Sequence, residues 1–205
     1  MIVVDVETTG SIPYKHSIVS IGAVEFENPT NQFYAECRAF DGAEIDNDAM
    51  RVNGFTYDDI TDPLKKSLEQ IISEFLNWCS GFPNKTLIAH NSGFDSWFLK
   101  ASMDRYNLYW SFGFRTLDLH TMAYIDFMKR GEDVPLIYGS SSLSLNKILE
   151  FVGLPKEPDP HNALNGAKYE TEAMYRLIYG KSAFDEFKNY PIPNNLAKVK
   201  QATLF

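Results

Sequence analysis

Three short segments of this chain gather residue types able to do acid–base or metal chemistry. The first is Asp5-Val6-Glu7-Thr8-Thr9-Gly10, which follows the apolar run Ile2-Val3-Val4. If that run is a strand, residues two apart share a face, so Asp5 and Glu7 point the same way while Val6 turns to the other side. Two carboxylates side by side repel and raise each other's pKa unless a cation lies between them. Hard oxygen donors of this kind suit Mg²⁺ or Mn²⁺; the other reading is a solvated strand end that happens to carry two acids. The second segment is His90-Asn91-Ser92-Gly93-Phe94-Asp95. There Asp95 either serves chemistry or complements the dipole of a helix beginning beside it. The third is His161-Asn162-Ala163-Leu164-Asn165-Gly166-Ala167. Its histidine is of a residue type able to exchange protons, or it is a polar residue at a helix start.

The elements that must carry these segments can be read from periodicity. Residues 2–6, 17–26 and 32–39 read as three strands, close enough in sequence for an antiparallel meander. Residues 46–53 read as a short helix. A stronger helix is expected over 63–78, with Pro63 in its first turn and Leu64, Leu68, Ile71, Ile72, Phe75 and Leu76 at helical spacing. A fourth strand over 85–89 runs into the second segment and then a helix over about 94–106. Residues 115–119 are a fifth strand or a helix entry, and 131–142 a loop rich in Gly, Pro and Ser. Helices over 144–151 and from about 162 to 179 complete the ordered elements. A meander followed by alternating strands and helices gives an α/β domain with a mixed central sheet flanked by helices.

The 205 residues suit one compact domain, expected over residues 1–180, with 181–205 as a C-terminal extension. No stretch approaches the roughly 18 apolar residues of a membrane span, and the start shows no export signal. Cys37 and Cys79 make no metal-ligand spacing and are expected as reduced thiols. An intracellular, cytoplasmic protein is the expectation. The formal net charge of −8 argues against a module that grips duplex backbone through many phosphate contacts. It leaves room for an enzyme that holds a few terminal nucleotides, where bound divalent ions supply local positive charge.

Taken together and in this order, Asp-x-Glu-Thr-Thr-Gly, Asn-x-x-Phe-Asp and His-x-Ala-Leu resemble the DEDDh branch of the DnaQ-like 3′→5′ exonucleases. That family includes RNase T and the proofreading subunit of bacterial replicative polymerase. The resemblance covers about residues 1–180 and implies an RNase H-like exonuclease fold. It implies a two-metal site for Mg²⁺ or Mn²⁺, with Asp5, Glu7 and Asp95 as ligands and His161 as the base that takes a proton from the attacking water. Thr8, Thr9, Asn91 and Phe94 fall where members of the family contact the terminal nucleotide. The expected activity is release of nucleoside 5′-monophosphates from single-stranded DNA or RNA 3′ ends, with DNA repair or proofreading as the setting. Several relatives are dimers, so a homodimer is among the assemblies implied.

One position departs from the family pattern. A fourth aspartate should follow the histidine by five residues, and that position is Gly166. Glu170 lies four residues on, on the same helix face and about 6 Å along the axis, so its longer side chain could reach back to complete the metal site. The alternative is a catalytically silent protein on a nuclease fold that binds strand ends or a sliding clamp. The clamp enters through the terminus Gln201-Ala202-Thr203-Leu204-Phe205, which looks like the short peptides that dock on sliding clamps, with Gln201, Leu204 and Phe205 as its anchors.

Overall fold

The computed structural model describes residues 1–196. Three strands, β1 (Ile2–Thr8), β2 (Ile18–Glu25) and β3 (Gln32–Glu36), form the expected antiparallel meander. Two short strands, β4 (Leu87–Ala89) and β5 (Leu117–Asp118), extend the sheet in parallel on the other side of β1, giving the order β3-β2-β1-β4-β5. The motif-bearing strand β1 is therefore central and covered on both faces. Ile2, Val4 and Val6 face one core with α3 (Leu68–Cys79) and α4 (Gly93–Arg105). Val3 faces a second core with α5 (Leu119–Arg130), α6 (Leu145–Phe151) and α7 (Ala163–Tyr179). Val3, Asp5 and Glu7 share a strand face, so both acids lie on the side that α7 covers.

A glycine lets α7 come close. A Cβ on Gly22 of β2 would overlap the backbone of Ala163 and Leu164 at the start of α7. Gly22 is the strand partner of Asp5, so the helix that rests on it passes directly over the first motif.

Several elements differ from the sequence expectation. The helix expected over 63–78 begins at Leu68, because Ser67 and Gln70 form a reciprocal cap (Gln70 N donates to Ser67 Oγ at 3.2 Å, Ser67 N to Gln70 Oε1 at 2.7 Å). Pro63 precedes it in a turn, and Leu64 is exposed. The short helices α1 (Asn47–Asn53) and α2 (Tyr57–Thr61) come before it; the first was expected and the second was not. The third strand stops at Glu36, after which Arg38 N and Ala39 N bond to Lys66 O and Ile60 O. Residues 115–119, read as a strand or a helix entry, hold both the short β5 and the start of α5; the helix cap is Asp118, whose Oδ1 accepts from Thr121 N at 2.9 Å. Within the 131–142 loop a small hairpin forms from β6 (Leu136–Ile137) and β7 (Ser140–Ser141).

The boundary expected at residue 180 is not a physical one. Phe184, Phe187 and Leu196 are buried in the same core as Met174 and Leu177 of α7. Arg176, fully buried, forms an ion pair with Glu172 at 2.8 Å and donates to the carbonyls of Val152, Gly153, Phe187 and Tyr190. Glu172 in turn accepts from the backbone N–H of Ala183 and Phe184. Cys37 and Cys79 are buried free thiols. Among the described residues no helix is long and apolar enough to cross a membrane.

Candidate functional site

All three segments meet where β1 ends. The short β4 pairs only with Ile2 and Val3, which leaves the N–H of Val6 beyond its reach. The Asp95 carboxylate takes that N–H, accepting through Oδ1 at 3.1 Å, and so ties the first turn of α4 to the first motif. The N–H of His90, just past β4, is taken by Glu170 of α7, whose Oε1 accepts at 3.0 Å. Helix α1 links the first and third segments: Asn53 Nδ2 donates to Thr8 O, and His161 N donates to Val52 O, both at 3.0 Å. Asn162 caps α7, accepting from Leu164 N and Asn165 N.

Asp5, Glu7, Asp95 and Glu170 are thus gathered on the α7 side of the sheet, with Glu157 from the loop before α7. Glu7, Asp95, Glu157 and Glu170 are buried, and Asp5 is partly exposed. Asp5, Glu7, Asp95 and Glu170 have no ion-pair partner among the described residues; Glu157 has only His161, its Oε2 3.9 Å from Nδ1. The consequence is electrostatic. Burial, then Glu170, Asp95, Glu7 and Glu157, push Asp5 well above the usual carboxylate range. Burial lifts Glu7 to about 7, with His161 pulling it down and Glu157 pushing it up. Burial raises Asp95 to about 8 despite the bond from Val6 N, and Glu7 and Asp118 add to the rise. Glu170 is raised by burial and then by Asp95, and Glu157 by burial, with His161 opposing.

Two oxygens in this cluster, Glu157 Oε1 and Glu170 Oε2, are buried with no hydrogen-bond partner. A buried carboxylate oxygen without a donor costs several kcal/mol unless it is protonated or meets a cation. The donor set is entirely hard oxygen, the kind that Mg²⁺ or Mn²⁺ accepts, and the unpartnered atoms give such an ion something to bind. Among the described residues no three Asp, Glu, His or Cys side chains already form a ready ligand set. Like charges without a counter-ion lean apart, and Asp95 and Glu170 each spend one oxygen on a backbone N–H. The fit to a divalent ion therefore lies in the chemistry of the donors, all hard oxygens with two left unpartnered.

The position of the missing acid is now visible. A Cβ on Gly166 would overlap Asp5 Oδ2, lie 2.9 Å from Asp5 Cγ and stand 3.4 Å from Glu157 Oε1. Asp5 has moved into the space that a side chain at 166 would occupy. Glu170 does reach the cluster, as its helical spacing predicts. His161 stands at the rim with its side chain 33% exposed and Nε2 3.7 Å from Asp159 Oδ1.

The residues expected to meet a nucleotide fare unequally. Asn91 is exposed, with φ 61°. It lines a cleft of about 430 Å³ with His90, Asp118, His120 and Thr121. Phe94 is half-buried against Phe98, ring centroids 4.8 Å apart. Thr8 is buried, its hydroxyl donating to Gly10 O at 2.7 Å. Thr9 is fully buried and committed: its hydroxyl donates to Glu44 O and accepts from Ser17 N, while its N–H donates to Ser17 O. Its side chain closes the turn after β1. Gln201, Leu204 and Phe205, the expected clamp anchors, lie outside the described residues.

Sequence reasoning missed Glu157 and Asp118. Asp118 Oδ2 accepts from Ser92 N at 2.7 Å while Oδ1 caps α5. Burial works to raise it, but these bonds outweigh that and hold it below the usual value. An acid directly before a predicted helix was the available signal. Glu157 offered none, lying in the irregular stretch Pro155-Lys156-Glu157-Pro158-Asp159-Pro160.

Residues 2–174 match the family model of the RNase_T exonucleases. The chain is 27% identical over 179 residues to the PolC-type DNA polymerase III of Thermotoga petrophila; this covers 86% of the chain and 12% of the polymerase. It is also 27% identical over 183 residues to the 3′-5′ DNA exonuclease Cap18 of Escherichia coli, covering 85% of this chain and 89% of that protein. Among solved structures it superposes on cell-death related nuclease 4 with a TM-score of 0.70 at 15% identity, covering 88% of this chain and 64% of that one. The nuclease domain of 3′hExo, a DEDDh family member bound to rAMP, gives 0.67 at 18% identity, covering 88% and 92%. The mixed sheet flanked by helices is the RNase H-like exonuclease fold that these structures share.

Proposed function

Since the chain belongs to the RNase T exonuclease family, we propose that it is a divalent-metal-dependent 3′→5′ exonuclease of the DEDDh branch. It releases nucleoside 5′-monophosphates from single-stranded ends. The observation that carries this is the group of buried Glu7, Asp95 and Glu170 with the partly exposed Asp5, the unpartnered Glu170 Oε2 among them and, among the described residues, no positive side chain in an ion pair with any of the four. We assign Asp5, Glu7, Asp95 and Glu170 to holding Mg²⁺ or Mn²⁺. What such an ion supplies is charge to steady the phosphoryl oxygens and acidity for a nearby water.

The remaining work falls to the chain itself. His161, partly exposed at the rim, accepts the proton of the attacking water at Nε2. Asn91 and Phe94 bind the terminal nucleotide, the first by hydrogen bonding and the second by its ring face. DNA is the favoured substrate, since the relative covered over most of its length is named a 3′-5′ DNA exonuclease.

A second reading, a silent protein that binds ends without cutting, draws support from Gly166, where the family's fourth acid is replaced and Asp5 occupies its space. The two separate by release of mononucleotides from 5′-labelled single-stranded DNA and RNA in Mg²⁺ and in Mn²⁺. A 3′→5′ ladder that vanishes on adding EDTA and falls at least 100-fold in Asp5→Asn and His161→Ala is expected. Labelled ends left intact in both metals, while still bound by the protein, would establish the silent reading.

A further inference from the structure

Resting on that reading of the carboxylates as a divalent-cation centre, we propose that Glu157 supplies the acid that residue 166 does not. The loop before α7 replaces the family's fourth carboxylate, beside the position where Gly166 leaves room for Asp5.

Four observations converge on this. Glu157 is within reach of the right place, since its Oε1 lies 3.4 Å from where a Cβ of residue 166 would stand, on the same side as Asp5. That oxygen is buried without a donor, and the side chain is only 5% exposed. No structural duty explains it: Oε2 is 3.9 Å from His161 Nδ1, beyond hydrogen-bond length. The loop is also held in position. Glu157 N donates to Asn146 Oδ1 of α6 at 3.0 Å, and the prolines at 155, 158 and 160 restrict the backbone on both sides.

The neighbouring acids do not compete for the role. Asp159 has its side chain 91% exposed. Glu170 gives Oε1 to the N–H of His90, which leaves it a single free oxygen. A Cβ at 166 would collide with Asp5 and meet Glu157 Oε1 at 3.4 Å, so both acids border the position that carries no side chain.

The test is Mn²⁺ binding by the full chain, followed by calorimetry and by electron paramagnetic resonance of the free ion, in wild type, Glu157→Gln, Asp159→Asn and Asp5→Asn. Second-sphere changes alone cost about 10–100-fold in metal affinity, so Glu157→Gln should weaken Mn²⁺ binding at least 10-fold, while Asp159→Asn stays within about twofold of wild type. Without metal, Glu157→Gln should melt no lower than wild type, because a neutral amide replaces a buried acid; this separates lost ligation from lost folding. Unchanged Mn²⁺ affinity in Glu157→Gln, with binding lost in Asp5→Asn, overturns the assignment of Glu157 and leaves the metal centre standing. A wild type that binds no Mn²⁺ at millimolar concentration overturns both.

Discussion

Asp5, Glu7 and Asp95 lie together without an ion-pair partner among the described residues, and that has a consequence for stability. Their carboxyls hold protons in the folded protein at pH values where the unfolded chain has lost them. Stability changes with pH in proportion to protons bound unfolded minus protons bound folded. Here the difference is negative, so stability falls as pH rises. The fall begins near the ordinary carboxyl value of 4.5 for Glu7 and 3.8 for Asp95 and is complete above about 7 and about 8 respectively. Each group contributes a slope of up to about 1.4 kcal/mol per pH unit within its window. Denaturant unfolding in EDTA should therefore give lower stability at pH 8 than at pH 5.5, and millimolar Mn²⁺ should remove most of that difference. A metal-free protein that grows more stable over this range would contradict the picture of buried, unbalanced acids. The Asp-x-Glu pair was legible because a strand imposes a period of two, and Glu170 because a helix imposes about one turn every four residues. Glu157 belongs to neither kind of element, so no spacing argument could reach it.

The site depends on two elements approaching closely, α7 and the β1–β2 pair. Gly22 is the contact: an added methyl there meets backbone at Ala163 and Leu164, not a side chain that can turn away. Overpacked positions cost about 1–3 kcal/mol, and with backbone on the far side Gly22→Ala should reach the upper end. It should also lift Gly166 away from Asp5. The expected result is a loss of about 3 kcal/mol in unfolding free energy together with weakened Mn²⁺ binding. Stability loss with unchanged metal affinity would show that the helix yields elsewhere. Legibility at this scale was uneven. The meander, β4, α4, α6 and α7 follow from apolar runs and caps. Helix α5 did not, because it buries only Leu119 and Ala123, too narrow a face for periodicity to reveal. The start of α3 was misplaced because the Ser67–Gln70 cap outweighed an apolar pattern running back to Leu64.

Across the whole molecule, the segment after α7 is held by one buried cation. Arg176 reaches carbonyls at Val152, Gly153, Phe187 and Tyr190 and is balanced by Glu172. Breaking a buried pair by removing one partner costs about 3–5 kcal/mol, because the other charge is left uncompensated. Arg176→Ala should accordingly lower the melting temperature by about 10 °C, while Glu172→Leu combined with Arg176→Met should recover much of the loss. An unchanged melting temperature in Arg176→Ala would mean that residues 181–196 are not part of the cooperative fold. From the amino-acid order alone one could determine the α/β class, an acid-bearing first strand, three chemical segments and the absence of an acid at 166. Each of these rests on local spacing or chain order. Only the tertiary structure decided that the Thr9 side chain closes a turn, that residues 181–196 complete the core, and that Glu157 lies beside Gly166. Those outcomes depend on which backbone donors and which oxygens remain after distant segments pack, and sequence spacing carries no record of that.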